Sequence, residues 1–197
     1  IYILRNTYYD AVGELYQYVK SNIRDDKFEN YNLMKLGFWP GGDRDGNPFV
    51  TADITKQVAD ELRLTLMKCY YNELKDLRKK LTFKSMQEDI NALSTKLYHA
   101  MFDPNAPISY EGIIGHLSAV REQLVEYYHE LYLDELDQFI DKVHIFKTHF
   151  ATLDIRQDHS KHTLVVESVL KKNGIIKESL DEIKEKELVK LLLEDNF

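Results

Sequence analysis

The chain has 197 residues, 44% hydrophobic and 30% charged, the composition of a folded globular protein and not of a disordered one. Its formal charge of −7 comes from acids spread along the sequence with no basic block, which argues against a nucleic-acid partner. No apolar run reaches the roughly 20 residues that span a bilayer, so no membrane partner is expected, and the single cysteine, Cys69, excludes an internal disulfide and fits the cytoplasm.

The sequence opens at Ile1 inside a helical pattern, with neither methionine nor a capping residue, which predicts a segment cut from a longer polypeptide. Over residues 1–24, Tyr9, Val12, Leu15, Tyr16 and Val19 recur at helical spacing. "LMKLGFW" then lacks that period and predicts a short strand ending at Pro40. Thr51 is placed to cap a helix whose apolar face runs through Ile54, Val58, Leu62, Leu66, Tyr70, Leu74, Leu77 and Leu81. A helix of about 30 residues is more than 40 Å long, a strut. Cys69 falls within it and reads as a small buried hydrophobe.

A further helix is expected over about 84–102, stopped by the prolines of "DPNAPI". Ile113, Leu117, Val120, Leu124 and Tyr127 define the next, continued or re-nucleated through Leu136, Phe139, Ile140 and Val143. Phe150, Thr152, Leu153 and Ile155 predict a second strand, followed by a helix from Ser160 to Lys172 that ends at Asn173-Gly174. Ser179 with Glu182 predicts a capping box for a last helix. The fold class is therefore mostly α: long amphipathic helices plus two isolated short strands. Two strands ~110 residues apart do not make a stable sheet alone, so they are expected to need partners outside this sequence.

Two stretches carry chemistry. "GGDRDGNP", after Trp39, is too glycine-rich and too charged for its helical surroundings. Counted from Asp43 as a calcium loop, its sixth residue is Pro48 and its twelfth Ile54, where glycine and glutamate are required. No Gly-Lys-Ser/Thr follows, so it is not a phosphate-binding P-loop either. What remains is either a turn pinned by ion pairs of Arg44 with Asp43 and Asp45, or a loop whose Gly41 and Gly42 let backbone come close to something. In "LDIRQD", Arg156 stands where a strand gives way to a helix. It is suited to gripping a phosphate, or to a structural pair with Asp154 or Asp158. His159 and His162 are three apart but no third ligand is evident, so no metal site is expected from them.

Taken together, "FWPGGDRDGNPFVTADIT" and "LDIRQDHSKHT" resemble phosphoenolpyruvate carboxylase: the first its W-x-G-G-D-R-D-G-N-P-x-V-T signature, the second its L-D-I-R-Q-[ED]-S-x-x-H-T segment. Pro40 stands where the family has methionine or isoleucine, and Leu164 where it commonly has aspartate. Arg156 follows Trp39 by 156 − 39 = 117 positions, fewer than the family pattern leads one to expect, so the connecting helices are trimmed.

The resemblance implies an internal segment of a bacterial-type enzyme, contributing two strands of an incomplete α/β barrel and the helices around them. Residues 1–197 are then one segment. Its 1–102 part carries the glycine loop and long helices, and its 109–197 part the "LDIRQ" strand and later helices. The implied reaction carboxylates phosphoenolpyruvate with bicarbonate to oxaloacetate and phosphate, through carboxyphosphate and the pyruvate enolate, in the service of the tricarboxylic acid cycle. By the same resemblance, Arg156 matches the arginine on the substrate phosphate and its transition-state charge. Trp39 matches a tryptophan at the substrate methylene. Gly41, Gly42, Asp43, Arg44, Asp45 and Gln157 form the loop beside that pocket. The family's Mg2+ (or Mn2+) ligands, its T-A-H-P-T histidine and its G-R-G-G loop are not in this sequence, so the segment alone is expected to be inactive. A homo-oligomer, the family tetramer, is implied for the parent. The rival expectations are a helical interaction module retaining the motifs as structural relics, and a phosphate sensor using Arg44 and Arg156.

Overall fold

The computed structural model describes residues 1–23, 28–45 and 47–183, with Val189 and Leu193. A π-helical turn, Leu4–Tyr8, runs into α1 (Tyr9–Asn22). The two-residue strand β1 (Gly37–Phe38) precedes the glycine loop and the long helix α2 (Ala52–Lys80). A 3-10 turn at Lys84–Met86 leads into α3 (Gln87–Ala100), then α4 (Tyr110–Tyr127) and α5 (Leu133–Phe146). Strand β2 (Thr152–Leu153) and helix α6 (His159–Lys172) follow.

The starts of α2 and α4 have local causes. Thr51 caps α2 by accepting from the Ile54 amide at 3.3 Å, and Ser109 caps α4 through Gly112 at 3.0 Å. Helices α4 and α5 are separate. His129, Glu130 and Tyr132 adopt φ of 50°, 61° and 63° between them, a break for which "HELYL" offers neither glycine nor proline. Gly174, at φ +71°, follows the C-cap Asn173 of α6.

Packing around α2 builds the core. Its neighbours are α3 and α5, with α4 bridging those two and α1 resting on α5. The stripe expected on α2 is buried from Leu62 through Leu66, Tyr70, Leu74 and Leu77 to Leu81, whereas Ile54 at its loop end is 39% exposed. Cys69 is buried, and desolvation pushes its thiol up to about 12, so it acts as a small hydrophobe.

Two expectations are corrected. The strands do not stand alone: β1 and β2 pair with each other in parallel, Gly37 opposite Thr152 and Phe38 opposite Leu153. Helices α2 to α5 form the crossover between them. Ser179 and Glu182 do not form a capping box. The Ser179 hydroxyl donates to Glu167 at 3.0 Å, and Leu180–Glu182 is a single 3-10 turn. Most of the last helix expected from the sequence lies outside the described residues.

A partly buried charge group ties α1, α2 and α5. The Tyr9 hydroxyl donates to Glu73, Lys142 reaches Glu73 at 3.0 Å, and its ammonium lies 4.7 Å from the centre of the Tyr9 ring. Gly13 makes room for this lysine, since a Cβ there would lie 2.5 Å from Lys142 Cε. Gly13→Ala should therefore destabilise the fold by about 1–2 kcal/mol, although alanine is the better helix former by about 1 kcal/mol. Urea unfolding measures this, and a more stable variant would show that Lys142 moves aside freely.

Burial holds the Glu73 carboxyl above its ordinary value, against the opposing pull of Lys142. The folded state then binds this proton more tightly than the unfolded chain. The associated stability is fully present below the ordinary glutamate value of 4.5 and is lost as pH rises through the folded value. Relative to Glu73→Gln, the wild type should gain stability as pH falls from neutrality toward 4.5. A difference that stays flat across that range contradicts the assignment.

Candidate functional site

The carboxyl ends of the two strands bring both motifs together. Thr152 donates its amide to Leu36 at 2.8 Å and Asp154 to Phe38 at 2.9 Å. Beyond the strands the pairing resumes: the Arg156 amide donates to the Gly42 carbonyl at 3.0 Å, and the Arg44 amide to the Arg156 carbonyl at 2.9 Å. Asp43 and Arg156 thus face each other as an isolated parallel bridge.

The turn before this bridge follows from its sequence. Gly42 donates to the Trp39 carbonyl at 3.0 Å, Pro40 supplies the fixed φ of the second turn position, and Gly41 takes φ +84° at the third. A Cβ on Gly41 would also meet Val58 Cγ2 at 2.5 Å. At Gly42 the constraint is harder. A Cβ there would sit 2.0 Å from the Asp154 carbonyl oxygen, a backbone atom that cannot move without breaking the strand pair.

On the outer side of this junction lie Trp39, Asp43 and Arg156. The Arg156 guanidinium is 5.2 Å from the centre of the Trp39 ring, and its Nη1 is 3.8 Å from Asp43 Oδ2. Both Arg156 and Trp39 are about half exposed, at 52% and 53%. Neither neighbour uses up the guanidinium: 3.8 Å is too long for a hydrogen bond, and a cation over a ring keeps its N–H groups at the edge. The structural pair of Arg156 with Asp154 or Asp158 is not formed. Asp158 instead caps α6, accepting from the Ser160 hydroxyl and from the Ser160 amide at 2.8 Å, and these bonds, the hydroxyl's first, hold its carboxyl below the ordinary aspartate value.

Arg44 departs from expectation. Among the described residues it makes no ion pair with Asp43 or Asp45; its guanidinium turns to α2 and donates to Thr55 Oγ1 at 2.8 Å. The buried Thr55 hydroxyl contacts the Gly41 carbonyl at 2.7 Å and the Thr51 carbonyl at 3.1 Å. Thr55 is therefore the bolt between the loop and the first turns of α2. Sequence reasoning passed over it, though its place four residues after the Thr51 cap puts it on the loop-facing side of the helix. The Asp45 amide donates to Asp43 Oδ1 at 3.2 Å and its own side chain is exposed. Gln157 turns back on the Asp158 amide at 3.2 Å, so it does not join the cluster.

A profile of the family described as phosphoenolpyruvate carboxylase matches residues 1–103 and 96–195. The chain belongs to the phosphoenolpyruvate carboxylase family. Among curated relatives, the phosphoenolpyruvate carboxylase of Shewanella loihica is 24% identical over 172 residues, 72% of this chain and 20% of its own length. That of Haemophilus influenzae (strain 86-028NP) is 25% identical over 213 residues, 88% of this chain and 24% of its own. The spruce Picea abies protein of the same name is 24% identical over 74% of this chain and 20% of its own length. The chain thus spans between a fifth and a quarter of the relatives it matches. The Shewanella loihica alignment runs over 172 residues but covers 72% of this chain, about 142 residues, so that carboxylase carries about 30 residues that this chain lacks. The two family matches overlap at 96–103, the end of α3 and the turn beyond it.

Thr55→Val keeps the shape of the side chain and removes both hydrogen-bonding roles. It should speed hydrogen exchange at the Arg44 and Arg156 amides by about tenfold, while amides in α3 and α4 are unchanged. Unaltered exchange at Arg44 and Arg156 would show that Thr55 does not hold the loop.

Proposed function

We propose that this chain is a single internal segment of a cytoplasmic phosphoenolpyruvate carboxylase and forms one wall of its substrate site. The parent reaction, a carbon–carbon lyase in class, joins bicarbonate and phosphoenolpyruvate into oxaloacetate and phosphate. The observation that carries this reading is the meeting of the two family motifs at one strand junction, where Arg156 stands over Trp39 with its donors available. Among the described residues no helix is long and apolar enough to cross a membrane.

In this reading the Arg156 guanidinium holds the phosphoryl oxygens and offsets the negative charge that grows on them as the phosphoryl group is transferred. A fixed, always-charged fork suits that task better than a lysine. Trp39 presents an apolar ring to the substrate methylene and keeps water from that side. Asp43 sets the arginine's position without neutralising it. Arg44 and Thr55 act from behind, holding the loop so that Asp43 stays opposite Arg156. Gly41 and Gly42 shape the turn, and Asp45 stands at its rim.

The family's divalent metal would stabilise the enolate oxygen. The described residues around the junction do not fit such an ion. Asp43 is engaged by Arg156 and the Asp45 amide, Asp158 by the α6 amides, and no cluster of three or more His, Cys, Asp or Glu ligands occurs among the described residues. The metal ligands and the general base belong, on this account, to the remainder of the parent polypeptide, which is a homo-oligomer. This chain alone would form no oxaloacetate.

In the full-length polypeptide, Arg156→Ala should lower turnover or phosphoenolpyruvate affinity by at least about tenfold, the cost of one charge-assisted contact to the transferring group. Near-normal steady-state kinetics for that variant would contradict the assignment of Arg156.

A further inference from the structure

At the opposite end of the strand pair lies a half-enclosed cavity of about 370 Å³ that the family motifs do not touch. Leu36 and Thr152, whose backbone bond begins the ladder, form part of its wall. Trp39 is three residues further along, about 10 Å at the rise of a strand. The cavity is of a size that takes a small metabolite.

Its lining is unusual for a chain of net charge −7. Lys35, Lys147, His144 and His149 all contribute to the wall, and no aspartate or glutamate does. Neither lysine forms an ion pair among the described residues, whose lysine pairs involve Lys20, Lys79, Lys80, Lys142 and Lys171. Two carboxylates act on the wall from outside its lining: Asp141, already satisfied by Gln17 at 2.7 Å, Lys20 at 2.8 Å and Tyr31 at 3.2 Å, and the exposed Glu29. Both lysines are exposed, burial holds the two imidazoles toward their neutral form, and no carboxylate lines the space.

The wall is also preformed. Tyr31 stacks on His144 with ring centres 4.3 Å apart, and the Tyr110 hydroxyl is hydrogen-bonded to His144 Nδ1. Between α5 and β2 the backbone takes left-handed conformations at two non-glycine residues, Lys147 at φ 52° and Phe150 at φ 58°. Such conformations cost of order 1–3 kcal/mol each and persist only where the surroundings enforce them. Here the Lys147 carbonyl is held by the buried Tyr70 hydroxyl at 3.0 Å. Met34, Phe146 and Phe150 supply an apolar side to the same space.

We propose that this cavity is a binding site for a small organic oxyanion, its charged head taken by Lys35 and Lys147 and its apolar body resting on Met34, Phe146 and Phe150. The two lysines provide charge-assisted donors, and the absence of a lining carboxylate removes the repulsion that an anion meets over most of this acidic chain. The site is separate from the Trp39–Arg156 junction and does not depend on the role given to that junction.

Saturation-transfer NMR on the full-length polypeptide tests this with two probes, phenylphosphonate and benzoate. These carry the same ring on a phosphonate and a carboxylate head. Transfer to the ring protons of at least one probe is expected, and the responding probe tells which head the site takes. The signal should persist in Arg156→Ala and in the Lys35→Arg/Lys147→Arg variant. In Lys35→Ala/Lys147→Ala binding should weaken about tenfold, the loss expected when charge-assisted hydrogen bonds are removed. No transfer from either probe overturns the proposal. So does a signal that survives the alanine pair unchanged, or one that Arg156→Ala alone abolishes.

Discussion

The arrangement depends on one close approach, that of the Gly42 backbone to the Asp154 carbonyl. Two segments more than a hundred residues apart meet there with no room for a side chain between them. The parallel pairing that starts at Leu36 and Thr152 can then run past the strands to the bridge between Asp43 and Arg156. Without that contact Arg156 would have no fixed relation to Trp39. Two residues of strand on each side contribute little stability by themselves. The junction is instead held by what lies around it: the Pro40-Gly41 turn on one side and the Thr55 bolt to α2 on the other.

This explains why a mostly helical chain spends so much of itself on a strut. Helix α2 begins at the loop and buries a continuous face against α3 and α5, so the loop is attached to the main hydrophobic core. Helix α5 leads through the strained 147–150 segment into β2. Both strands are therefore anchored by the same core from opposite sides, and the Tyr9–Glu73–Lys142 group adds α1 to that core. The site side chains remain about half exposed while their backbones are held. A wall meant to meet a ligand or another part of a protein needs that combination.

Much of this was legible in the residues. Helical spacing placed α1, α2 and α4, Thr51 declared the cap of α2, and Asn173-Gly174 declared the stop of α6. The pairing of the two motifs brought Trp39 and Arg156 to one place because each motif sits at a strand end. The sequence concealed the contacts that join distant segments. Acids beside Arg44 suggested ion pairs, yet its partner is a threonine eleven residues on, because a guanidinium that turns inward gains a buried acceptor while Asp43 is left for Arg156. Similarly, Ser179 resembled a cap until Glu167, on the neighbouring helix, took its hydroxyl. The left-handed residues at 129–132 and 147–150 carry no local signature, since tertiary packing and not glycine enforces them.

Gly42→Ala in the full-length polypeptide tests the central claim most directly, because it adds one methyl group at the point of closest approach and alters no functional side chain. The account predicts that hydrogen-exchange protection at Asp154 and Arg156 falls together with phosphoenolpyruvate turnover, each by at least about tenfold, while the helical core unfolds near its normal urea concentration. A Gly42→Ala protein with unchanged protection at Asp154 and Arg156 and normal turnover would contradict it.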